Sequence, residues 1–74
     1  QVFPNPSNGN FTVKAEESIV ELRIYNQLGQ LVYRSNPNAA QFNVEVSQLA
    51  SGIYTMQLKS ATGKENSQKL MLGK

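Results

Sequence analysis

Apolar residues alternate with polar ones through most of the chain, and this period of two constrains the fold more than any other property. Phe11 and Val13 flank Thr12. Val20, Leu22 and Ile24 alternate with Glu21 and Arg23, and Phe42, Val44 and Val46 with Asn43 and Glu45. Tyr54, Met56 and Leu58 alternate with Thr55 and Gln57. In the last run Leu70 and Leu72 face one way, Lys69 and Met71 the other. Successive side chains of a strand point to opposite faces, so each run predicts a strand buried on one side.

Turn residues separate the runs. "NQLGQ" (Asn26 to Gln30) places Gly29 where a positive φ closes a hairpin between Ile19–Tyr25 and a shorter strand at Leu31–Ser35. "SATGK" does the same with Gly63, joining Ile53–Lys59 to a last strand near Gln68–Leu72. Tyr25 and Tyr33 are expected to face each other across the first hairpin, where an exposed pair is a faint sugar-stacking signal. "SNPNAA" reads as a polar loop. "AEES" favours a helix by composition, but four residues cannot sustain one. The sum is six or seven short strands without a helix: an all-β fold, a sandwich or small barrel, with an antiparallel β-sandwich preferred.

"FPNPSNG" opens the chain. Pro4 and Pro6 cannot donate to a ladder and bias the residues before them toward extended geometry. With Asn5 between them and a turn at Asn8-Gly9, the segment reads as a sheet edge or lead-in, the punctuation of a domain boundary. "SQLASGIYTMQL" is the other informative corner. Leu49 is placed to plug the end of the core, and Gly52 permits a close approach or positive φ at the strand entry. In immunoglobulin-like sandwiches a tyrosine at such a place bonds back to the corner, which would be the part of Tyr54. Otherwise Tyr54 is an inward aromatic with its hydroxyl at the rim. Both roles are architectural.

Seventy-four residues make one domain, spanning 1–74. The net charge of +2 is spread along the chain, without the basic cluster of a nucleic-acid binder. No apolar run approaches the roughly 20 residues that span a bilayer. The chain begins at Gln1 without a leader, so it is read as a piece of a longer or processed protein. His, Cys, Trp and Asp are all absent. That removes the commonest general base, thiolate ligands and disulfides, and leaves Glu16, Glu17, Glu21, Glu45 and Glu65 in polar surroundings. No catalytic, cofactor or metal site is expected.

Four segments in order, "FPNPSNGNFTV", "LRIYNQLGQLVY", "LASGIYTMQL" and "KLMLGK", make the chain resemble the C-terminal sorting domain of the type IX secretion system of Bacteroidota. The resemblance covers practically the whole chain. It implies an immunoglobulin-like β-sandwich that serves its host as an export address. Such a host crosses the periplasm, passes the outer membrane and ends at the cell surface or outside the cell. Its partners are the secretion machinery and a sortase-like peptidase that commonly removes the domain and attaches the host to the surface. The family's proline motif matches Pro4, Asn5, Pro6 and Gly9, and its glycine-tyrosine motif Gly52 and Tyr54. Its closing strand matches Lys69, Leu70, Met71 and Leu72, followed by Gly73 and Lys74, an ending less basic than in many members.

A closing strand patterned on both faces suits a sheet edge, where its backbone can pair with a receptor strand. Lys69 to Lys74 is then the expected recognition surface. The other reading is that Leu70 and Leu72 complete the core while the lysines guard the edge. A free edge also allows weak self-association. Of a different class is an immunoglobulin-like spacer or carbohydrate-contact module.

Overall fold

In a computed structural model the chain is described for residues 2–3 and 9–73. Six strands follow in order: β1 (Val2–Phe3), β2 (Asn10–Tyr25), β3 (Leu31–Ser35), β4 (Ala39–Glu45), β5 (Gly52–Ser60) and β6 (Glu65–Leu72). All pair antiparallel in one sheet, and no helix occurs among the described residues. The all-β antiparallel fold expected from the alternation is the one adopted. Pro4, Asn5, Pro6 and Lys74 lie outside the described residues.

The 16-residue β2 organises the rest. Its first half pairs with β1 and β4, its second half with β3 and β5, and β6 is added outside β5. Twelve apolar side chains from both halves form one buried cluster, with Val13, Leu22, Ile24, Val46, Met56 and Leu70 fully enclosed. With no helix to cover a face, a flat sheet would leave these side chains wet. The sheet must therefore fold over on itself about the middle of β2, giving two layers that share a strand.

The middle of β2 is where the sequence reading needs correction. The two separate strands read around "AEES" are one, because that segment continues the extended backbone. The register to β4 jumps from Lys14 to Ile19, and that to β5 steps from Ile19 opposite Ser60 to Glu21 opposite Lys59. Val20 is the extra residue of a bulge, which shifts the inward face from odd to even positions. Ile19 is consequently buried and Val20 only half-buried, against the expected Val20–Leu22–Ile24 series.

Both hairpins use the same closure. Asn26 and Gln30 are joined by an N–H···O bond of 3.0 Å, and Ser60 and Lys64 by one of 2.8 Å. Gly29 and Gly63 adopt φ of 81° and 90° at the fourth position, as the turn sequences predict. The first residue of each turn also caps it: Asn26 Oδ1 accepts from the Leu28 and Gln30 amides, Ser60 Oγ from the Lys64 amide.

Candidate recognition strand at the sheet edge

β6 pairs with β5 from Glu65 opposite Lys59 to Leu72 opposite Gly52. No strand among the described residues pairs with its other flank. Its second half is amphipathic: Leu70 and Leu72 are buried in the core, while Lys69, Met71 and the following Gly73 are exposed. Met71 lies opposite Ile53 on the outer face, 43% and 40% exposed, with Lys69 opposite Thr55 beside them. The terminal strand therefore combines a backbone flank that pairs with no strand among the described residues with a small apolar pair next to a cation. Ile53 is expected from the sequence only as the start of a strand, although its parity opposite to Tyr54 marks it as outward-facing.

The corner before β5 holds this strand pair in position. The Tyr54 hydroxyl donates to the Ala50 carbonyl at 2.7 Å, four residues back. Its ring is buried, and Leu49 packs half-buried against the same cluster. Removing the donor leaves that carbonyl without this bond. Tyr54→Phe should cost about 1 kcal/mol, measured by urea denaturation, with the sheet otherwise intact. Gly52 has the positive φ expected at the strand entry, 158°, which L side chains rarely adopt, although a methyl group there would meet only the Tyr54 ring at 3.9 Å.

At the opposite end of the strand pair the β5–β6 turn is fastened to β2. The Ala61 amide donates to the Ser18 carbonyl at 2.9 Å. Glu17 accepts from the Thr62 hydroxyl at 2.5 Å and pairs with Lys64 at 3.4 Å. The Thr62 hydrogen bond, helped by Lys64 against a desolvation penalty, holds the Glu17 carboxyl below its ordinary value of 4.5. A depressed carboxylate stabilises above its unfolded pKa and loses that contribution as pH falls through the folded one. Measured against the intrinsic rate at each pH, amides of the 61–64 turn should therefore lose protection on acidification below pH 4.5. Glu17→Gln should abolish that pH response, read by hydrogen exchange.

On the outer face of the second layer, Glu21 takes Arg34 Nε at 2.8 Å and Arg23 Nη2 at 3.1 Å. Desolvation pushes the Glu21 carboxyl up, but the hydrogen bonds from the two arginines outweigh it and leave it lowered. Glu17 and Glu21 are thus both committed to ion pairs, and neither is poised as an acid or base. Tyr25 and Tyr33 do not form the expected cross-strand pair. Tyr33 lies opposite buried Ile24, while Tyr25 opposes Leu31 and shares the outer face of β2 with Arg23. The bulge between Ile24 and Tyr25 separates them, and the sugar platform they would have formed is absent.

Residues 1–73 match the family model of the secretion system C-terminal sorting domain. The chain is also 31% identical over 72 residues to Beta-agarase D of Zobellia galactanivorans, an alignment covering 97% of this chain and 14% of the agarase. The chain thus spans about one seventh of that relative's length. A match over essentially every residue, on an all-β fold, fixes the family: this chain belongs to the C-terminal sorting domains that direct their hosts to type IX secretion.

Proposed function

We propose that the secretion machinery grips this domain at β6 and the residues after it, Lys69 to Lys74, by adding a strand to the open flank. Met71 and Ile53 offer the receptor an apolar contact, and Lys69 a cation. Pro4, Asn5, Pro6, Gly9, Leu49, Gly52 and Tyr54 act in building the fold. The domain contributes no catalysis and carries its host through the periplasm to the outer membrane. A sortase-like peptidase then removes it upstream. The single observation that supports the reading is that β6 pairs with β5 along its whole length and with no other strand among the described residues. The same flank supports at most weak self-association, because an edge lysine such as Lys69 discourages pairing between identical edges.

Deleting the last residues is the wrong test, since it removes Leu70 and Leu72 from the core. Lys69 and Met71 point outward and are the right positions. Fused behind a periplasmic reporter in a type IX-competent bacterium, Lys69→Glu with Met71→Glu should reduce surface display at least about tenfold, a loss of roughly 1.4 kcal/mol in recognition. The melting temperature should stay within a few degrees of the parent. Undiminished display of the double variant would overturn the assignment.

A further inference from the structure

Between the middle of β2 and the first half of β6 lies an open cleft of about 460 Å³, floored by Ala15, Ile19 and Leu58. Asn66 and Gln68 line its other wall. They share the inward parity of Leu70 and Leu72 yet remain exposed, so nothing among the described residues covers this half of β6. On β2 the ladders skip the matching segment: β4 pairs up to Lys14 and again at Ile19, and β5 begins at Ile19. β1 borders the gap. It pairs Phe3 with Thr12 and Val2 with Val13, so polypeptide continuing upstream in that register runs opposite Lys14 and then Ala15 to Glu17, into the cleft.

From this register and this gap we infer that the stretch of the sorted protein immediately ahead of Val2 extends β1 by about four residues, some 13 Å at the usual rise, and fills the cleft. The inference rests on the sorting-domain reading, since a C-terminal domain has polypeptide ahead of it. The occupant suited to the site is an extended segment with small apolar residues at alternate positions, covering Ala15, Ile19 and Leu58, and polar residues between them. Its backbone takes up the ladder positions on β1's flank of β2, between the end of β1 and the start of the β5 pairing at Ile19. Lys14, Glu16, Glu17 and Lys64 on the rim nearly cancel in charge, so the site selects strand geometry rather than a charged partner. The tether between host and address is then a strand of the address itself, and not a loose linker.

The test is hydrogen exchange followed by mass spectrometry on the intact parent protein. Amides of the four residues ahead of Val2, and those of Ala15 to Glu17, should exchange about 100-fold slower than unstructured chain. Replacing two adjacent upstream residues with proline, one of each parity, should release the protection at Ala15 to Glu17 while Met56 and Leu70 stay protected. Exchange at unstructured rates upstream, or protection at Ala15 to Glu17 that ignores the prolines, overturns the inference. A parallel export assay on the parent lacking the whole domain separates the two readings. Normal export there would defeat the sorting assignment whatever the exchange rates, whereas fast upstream exchange with domain-dependent export defeats the tether strand alone.

Discussion

Gly9→Ala should be among the most damaging single substitutions in this domain, costing about 3 kcal/mol and lowering the melting temperature by roughly 12–24 °C. Two effects add there. The backbone of Gly9 has φ 110°, a region L side chains rarely adopt, and a Cβ would stand 2.6 Å from the Ser47 Cα. The obstacle is main chain, so no rotamer change relieves it. It cannot retreat cheaply either, because the Gly9 carbonyl accepts the Val46 amide at 2.7 Å and thereby fixes the exit of β4 beside the entry of β2. Gly63→Ala is the control. That residue also has positive φ, at 90°, but nothing lies within 4 Å of its missing side chain. It should cost only about 1 kcal/mol. Differential scanning calorimetry of the two variants checks the ranking, and equal losses would show that crowding against Ser47 contributes nothing.

Leu70→Ala combined with Leu72→Ala should unfold the domain outright. Both side chains are buried, Leu70 completely, and each truncation should cost about 2–5 kcal/mol. A domain of this length holds only about 4–11 kcal/mol of stability in total. The expected circular dichroism spectrum is that of unfolded chain at 25 °C, and either single variant should show reduced stability with the sheet retained. The comparison with Lys69→Glu and Met71→Glu gives the terminal strand two separable duties on its two faces. One face completes the core, and the other is offered to a partner. The double leucine variant should also fail in export, but through loss of fold, so its failure carries no information about recognition.

Most of the fold was legible in the residues because it rests on local rules. Alternation located the strands, and Gly29 and Gly63 located the hairpins with the positive φ that a three-residue connection needs. The Tyr54 corner was legible as an option, since a tyrosine two residues after Gly52 has its own preceding carbonyls within reach. The faces around Val20 were not. A bulge changes parity by one residue, and nothing in "EESIVEL" says whether Ile19 or Val20 is the extra one; the partner strands decide that. Tyr25 and Tyr33 failed as a pair for the same reason. One register slip at Ile24 sends them to opposite faces.

The candidate site divides similarly. Lys69, Leu70, Met71 and Leu72 stand out in the chain by pattern and position, but Ile53 joins Met71 only through strand pairing, and Glu17 meets Thr62 and Lys64 across 45 residues in the first case. Gly9 is an ordinary turn glycine in the sequence and becomes indispensable only where the chain passes Ser47.

By itself, the sequence determined that the chain is all-β, where it turns, and that it has neither His nor Cys, because side-chain parity, backbone dihedral preference and functional-group inventory can be read directly along the chain. Only the tertiary structure decided which strand is outermost among the described residues, which side of the last strand faces out, and where the cleft beside its first half lies. Those outcomes depend on register between residues distant in sequence, and a shift of a single residue would reverse each face without altering the pattern that specifies it.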